Sequence, residues 1–401
     1  MTLRDLKPYL VLCAILVVLL SGISLIDRSA AAYAEIQTIG EGNPTFAELS
    51  KRFSDLADAK GAVYAFAVLE RAKLPANIDL HLLGHVVGDE LYKQKGVAGI
   101  ADCTQDLRNA CSHSIVLGAL NEFGTGADTL KKIDDACKKA PGGIGAYTMC
   151  YHGLGHGVLT YFGFDLSKTV AFCKRTGTAE YGDQQFAQCV GGAIMEIVDG
   201  GGHDHEQWVA ARQEILKPDS PLSPCLDSVV PDVAKNYCLI YLTPWLMQLA
   251  GSDIGHPDPS TFSKAFSYCD AIPSSKQNLR DVCFGGFGKE FVPLAGARDI
   301  RSVDQYTDDE YKTAIQWCEL AGAEDGKENC IREALGSIFW GGENNPDASF
   351  RFCSFVNPPN EQSSCYDELA HNISYYLPNR ADLCQKLPSN SQAVCLKQKN
   401  S

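Results

Sequence analysis

Five of the nine histidines in this 401-residue chain are spaced so that imidazoles come to lie side by side. His81 with His85, and His152 with His156, are i,i+4 pairs, which a helix places on one face with Cβ atoms about 5–6 Å apart. His113 has no such partner, but a ladder of cysteines ties it to the others. Counting from Cys111 and Cys150, His113 and His152 each lie two residues on, and His156 lies six on. Asp79 stands at the equivalent reference position earlier in the chain, which puts His81 two on and His85 six on. Neutral imidazoles gathered from neighbouring helices suit Zn, Cu, Fe or Ni. Glu90 and Glu122, both eleven residues on from the reference position, fall close to the same face. They offer carboxylate ligands, partners that orient a ligating imidazole, or a general base. The competing reading is that these histidines fill packing gaps and bond locally. Later repeats carry Gly191, Ile240, Gly285, Arg332 and Asp367 at position two, and Met195, Pro244, Lys289, Gly336 and His371 at position six. The repeat itself therefore does not demand histidine at either position.

What positions these residues is a repeat written in cysteine. Of 17 cysteines, Cys13 lies in an apolar run, and the other sixteen form neighbouring pairs along the chain. The pairs are Cys103/Cys111, Cys137/Cys150, Cys173/Cys189, Cys225/Cys238, Cys269/Cys283, Cys318/Cys330, Cys353/Cys365 and Cys384/Cys395, with separations of 8 to 16 residues. From pair to pair the period is mostly roughly 31–49 residues, the range of helical solenoids. No C-x-x-C occurs, which argues against zinc ribbons, thioredoxin-like redox chemistry and c-type haem. A catalytic Cys150/His152 pair is disfavoured because that thiol is expected to be oxidised.

A short amphipathic segment precedes each first cysteine, and a longer apolar one follows each second. Asp258-Pro259 and Asn345-Pro346 read as helix starts, and Thr307 with Glu310 as a capping box. One cysteine is thus expected to end helix A and the other to open helix B. In an antiparallel hairpin those ends are close enough for a disulfide, and each closed loop is worth about 3 kcal/mol. Pairing between neighbours follows from this hairpin register, with crossed links between repeats as the open alternative. Glycine also keeps register: Gly153, Gly192 and Gly286 share position three, and Gly84, Gly155 and Gly288 share position five. Glycine costs about 1 kcal/mol in a helix, so its recurrence implies close helix packing. The expected fold is all-α, a right-handed α/α solenoid of disulfide-stapled helical hairpins. Its expected divisions are a signal-anchor over 1–34, a linker or capping helix over 35–59, histidine-bearing repeats over 60–200, an insertion over 201–224, and further repeats over 225–401.

This arrangement resembles the disulfide-bridged α/α-repeat proteins of the SEL1-like and tetratricopeptide type, from about residue 60 to the end. The resemblance is architectural, because their consensus residues are not shared and several repeats here are longer. It implies a fold and a habit of binding partners, and assigns no residue a role.

At the N-terminus Arg4 and Lys7 precede an apolar run from Tyr9 to Ile26, about 18 residues and just long enough to span a bilayer. Basic residues before the run place the rest of the chain outside the cytoplasm. Ala32-Tyr33-Ala34 reads as a cleavage site before Glu35, but the run is long for a signal peptide, so an uncleaved anchor is preferred. Either way the cysteines reach an oxidising compartment. An apolar fraction of 45% speaks against wholesale disorder, and a net charge of −14 against nucleic-acid binding. His203-Asp204-His205-Glu206 follows three glycines and reads as a solvated loop before a metal site. The glycines around His156 make no phosphate loop, and no HExxH or GxSxG occurs. Two functions survive. One is a membrane-tethered extracytoplasmic scaffold that binds a protein or envelope partner, with a histidine-lined site in its first three repeats. The other is a transition-metal-binding protein or metal-dependent enzyme, holding Zn, Cu or Fe through His81, His85, His113, His152 and His156.

Overall fold

The computed structural model describes residues 35–397 apart from 105, 178–181, 201–204, 302, 342–345 and 378–379. The apolar run from Tyr9 to Ile26, the segment up to Ala34, and His203-Asp204 lie outside the described residues. Among the described residues no helix is long and apolar enough to cross a membrane. The described chain is all-helical, with one isolated bridge between Lys217 and Ser220.

It opens with α1 (Phe46–Lys60), where Thr45 and Glu48 close a capping box, and α2 (Ala62–Leu69). Then come α3 (Leu80–Lys95), α4 (Ala110–Phe123), α5 (Ala127–Cys137), α6 (Gly143–Tyr161), α7 (Leu166–Cys173) and α8 (Gln184–Asp199). The insertion supplies α9 (His205–Ile215). The rest of the chain forms α10 (Asp232–Ala250), α11 (Phe262–Asp270), α12 (Gln277–Ala295), α13 (Asp308–Cys318), α14 (Glu324–Gly341), α15 (Pro346–Phe355), α16 (Pro359–Tyr376), α17 (Ala381–Gln385) and α18 (Ser389–Leu396). Several starts follow from local chemistry. Asp79 caps α3 by accepting from the Leu82 amide, Asp165 does the same for Lys168 at α7, and Thr307 with Glu310 boxes α13.

The longer helices α3, α4, α6, α8, α10, α12, α14 and α16 pack one on the next in sequence order, with the shorter helices wedged outside between them. All eight neighbouring cysteine pairs are disulfides, with Cα–Cα distances from 5.4 to 5.8 Å. The expectation that the second cysteine opens helix B holds for Cys111, the second residue of α4, and needs correcting at the other pairs. Cys150 sits in the middle of α6, and Cys283 is well inside α12. Cys238, bonded to Cys225, lies in the second turn of α10 and not at its start. Cys395, bonded to Cys384, departs furthest, because it stands one residue before the end of α18 and so closes its helix. The first cysteine does end its helix at Cys137, Cys173 and Cys318, but Cys103 follows a 3-10 turn over Gly96–Asp102, and Cys225 precedes α10 in a run of turns with no helix of its own. A disulfide forms where the segment before the long helix meets that helix's flank, and the side that faces inward fixes the position. Cys238 and Cys395 are both fully buried, as staples in the core must be.

The long helices approach to backbone contact. A Cβ on Gly155 would lie 1.9 Å from the Cys189 carbonyl oxygen, and one on Gly192 would lie 1.8 Å from that of His152. The crossing of α12 on α14 repeats the arrangement, with a Cβ on Gly288 falling 1.8 Å from the Cys330 carbonyl oxygen. Gly155 and Gly288 share position five, so the glycine register marks close crossings.

The array does not run straight out. The segment after α12 returns to the first repeat, where the Asn77 amide donates to the Ala297 carbonyl and Arg301 donates to the carbonyls of Leu69 and Ala72. Arg298 pairs with Asp79 at 2.6 Å, and Arg108 donates to Ser337 Oγ at 2.8 Å.

Gly288→Ala is expected to lower unfolding free energy by about 3 kcal/mol in urea titration, because backbone on the neighbouring helix cannot yield cheaply. Gly322→Ala, which meets nothing within 4 Å, should change it by less than about 0.5 kcal/mol. Equal effects from the two would contradict the close crossing.

Candidate metal centre

Helices α3, α4 and α6 lie side by side and turn their histidines toward one another. Gly153 makes this possible on α6, since a Cβ there would come within 2.4 Å of the His113 ring. His81 and His85 face each other with Nε2 atoms 3.2 Å apart, and His152 and His156 do the same at 3.1 Å. His113 lies between the pairs, its ring centroid 5.4 Å from His81, 5.6 Å from His85, 5.4 Å from His152 and 5.3 Å from His156. It is 1% exposed, and neither of its ring nitrogens makes a hydrogen bond. Donor atoms of His81, His85 and His113 all lie within 4.8 Å of one another.

The outer nitrogens decide the tautomers. His81 Nδ1 is 2.8 Å from the Leu107 carbonyl oxygen, which can only accept, so that nitrogen carries the proton. His85 Nδ1 is 3.2 Å from Ser114 Oγ, whose own proton goes to the His85 carbonyl. Ser114 therefore also accepts from the ring. With both Nδ1 atoms donating outward, His81 and His85 direct Nε2 lone pairs at each other. A cation resolves that repulsion. Two imidazoles bound tetrahedrally at about 2.0–2.1 Å from zinc would hold their nitrogens roughly 3.3 Å apart. On the other pair, His156 Nδ1 donates to Glu196 Oε2 at 2.9 Å, the carboxylate–imidazole arrangement that orients metal ligands.

Three of the rings are held neutral. Burial pushes His81 down to about 4, against the opposing pull of Asp79. Burial also drives His113 and His152 well below the ordinary histidine range, and the surrounding imidazoles add to the effect. Ligands in this state release no proton when they bind a metal near neutrality.

The five histidines picked out by spacing do meet in one cluster, but the carboxylates picked out with them lie elsewhere. Glu90 pairs with Lys93 at 2.9 Å, and Glu122 accepts from Tyr92 at 2.5 Å. The carboxylate that reaches an imidazole is Glu196 on α8, which sequence reasoning missed, as it missed Ser114 and Met195. Met195 held a visible signal, because it occupies position six, the register of His85 and His156. Its Sδ lies 3.4 Å from His152 Nε2.

Leu107, whose carbonyl orients His81, belongs to an unusual turn. Leu107, Arg108 and Asn109 have φ of 57°, 55° and 64°, three consecutive left-handed residues without a glycine. Such strain costs on the order of 1–3 kcal/mol per residue and persists only where surrounding structure imposes it. Here Arg108 is held by Ser337 from the distant α14. Two cavities border the cluster. One of about 180 Å³ is lined by His85, His113, His156 and Glu196, and one of about 70 Å³ by His81, Met195, Tyr241 and Arg108. No known protein family, curated protein or solved structure matches this chain.

Depressed histidines make the metal-free chain sensitive to acid. Below the unfolded value of about 6.5 the unfolded chain takes up protons that the folded cluster refuses, so stability is present above that pH and falls toward the folded value of about 4. The thermal midpoint should therefore drop between pH 6.5 and 4.5, and drop less in His113→Gln. A flat profile in the wild type would contradict neutral, buried rings.

Proposed function

We propose that this is an exported transition-metal-binding protein whose centre is formed by His81, His85, His113, His152 and His156. One arrangement carries the proposal: His81 and His85 bring their Nε2 atoms to 3.2 Å, and donation outward from both Nδ1 atoms leaves lone pairs on the facing nitrogens. Packing alone gives no reason to aim two lone pairs at each other, whereas a cation does. Supporting it are the unbonded nitrogens of buried His113 and the carboxylate behind His156. The adjoining cavities leave room for a further ligand on the metal, the arrangement that separates open from closed sites.

The eight disulfides suit an oxidising, extracytoplasmic compartment. In this reading the run from Tyr9 to Ile26 tethers the body to a membrane, and the hairpins follow the right-handed course of SEL1-like and tetratricopeptide solenoids. The repeat array then serves as the rigid mount for the metal rather than as an open partner-binding surface.

Gently purified full-length protein should retain or rebind at least one equivalent of a transition metal by elemental analysis and calorimetry. His85→Ala should abolish it, Glu196→Gln should weaken it about 10- to 100-fold, and His371→Ala should leave it unchanged. Absence of any stoichiometric metal, before and after loading with zinc or copper, would defeat the proposal.

A further inference from the structure

The two ends of the histidine cluster differ in chemistry. At the first end the nearby donors are all nitrogen, from His81, His85 and His113. At the second, His152 Nε2 lies 3.1 Å from His156 Nε2 and 3.4 Å from Met195 Sδ. The latter separation is what an imidazole and a thioether show when both bind one ion. The chain has only four methionines, so a thioether here is not the by-product of a methionine-rich core. Met195 is not fully buried either, and it lines the cavity beside His81 instead of filling packing space.

A thioether is soft, neutral and polarizable. It is a poor ligand for the hard divalent ions and a good one for monovalent copper. Two imidazoles and a thioether add no negative charge, so they favour a cation of low charge. The Tyr241 ring packs on His152 at 4.5 Å.

We propose that His152, His156 and Met195 form a copper(I) subsite, distinct from an all-imidazole subsite at His81, His85 and His113 that suits a divalent ion such as zinc. This rests on the metal-binding reading above and extends it. The cluster then holds two ions of unlike softness rather than one ion shared by five rings.

The test uses full-length protein, copper(I) supplied without oxygen against a competing chromogenic chelator, zinc titrated separately, and copper-edge X-ray absorption. Wild type should bind both ions, and its copper spectrum should require a sulfur neighbour. Met195→Leu, close in volume, should lose at least tenfold in copper(I) affinity and the sulfur signal while binding zinc as before; that retained zinc site shows the variant is folded. His81→Gln should give the reverse pattern. Unchanged copper(I) affinity and spectrum in Met195→Leu would overturn the subsite. Zinc binding without copper(I) binding in wild type would overturn it too, while leaving the metal centre intact. Binding of neither ion would remove the metal centre itself.

Discussion

Where α6 crosses α8, the Cys189 carbonyl oxygen occupies the space a β-carbon on Gly155 would need, and the His152 carbonyl stands in the same relation to Gly192. Helices normally pack 8–10 Å apart with side chains between them. Here glycine removes the side chains and lets main chain touch main chain. Glycine acts in the same way between the histidine-bearing helices, where a Cβ on Gly88 of α3 would lie 3.0 Å from the Cys111 carbonyl oxygen and one on Gly153 of α6 would lie 2.4 Å from the His113 ring, and neighbouring imidazoles sit with ring centroids 4.8 to 6.3 Å apart. It also makes the helices intolerant of sliding, which would otherwise blur distances at the site. Glycine is a weak helix former, and the disulfides between flanking and long helices offset that weakness by restricting the unfolded chain.

Closure of the array acts on the same centre. Asp79 both caps α3, the helix bearing His81 and His85, and pairs with Arg298 from beyond α12. The strained turn at Leu107–Asn109 presents the carbonyl that sets the His81 tautomer, and Arg108 in that turn is fastened to Ser337 on α14. Residues more than 200 positions away thus hold the cap and the carbonyl on which His81 depends. A centre built on three neighbouring repeats is given its orientation by the sixth and seventh.

Much of this was readable from spacing. Cysteine order predicted every disulfide, because each joins a long helix to the segment just before it in the chain, or α17 to α18, and needs no knowledge of the distant fold. Where each cysteine falls along its helix was less legible. Cys238 and Cys395 mark where a flank faces the core, in the second turn of α10 and at the end of α18, and helix boundaries lie elsewhere. The i,i+4 histidines and the two-and-six register predicted the cluster, because helical periodicity is local. What spacing could not supply was contact between repeats. Glu90 and Glu122 fell near the right face by counting along their own helices, yet Lys93 and Tyr92 engage them instead. Glu196 comes from the next long helix, and its approach to His156 depends on how closely α6 and α8 cross. Met195 stood in the histidine register all along. It read as a sign that the register tolerates any residue, since a thioether looks apolar until an imidazole is seen beside it. The return of the segment after α12 onto the first repeat had no local signature at all.

The proposed centre requires a cation between His81 and His85. Crystals of the metal-loaded protein, measured on both sides of the absorption edge of the loaded metal, test this directly. A peak in the anomalous difference map about 2.0–2.1 Å from the Nε2 atoms of both His81 and His85, within reach of His113, is the expected result. Loaded crystals with no peak at this cluster, or with imidazoles turned so that a proton lies between the two nitrogens, would contradict it.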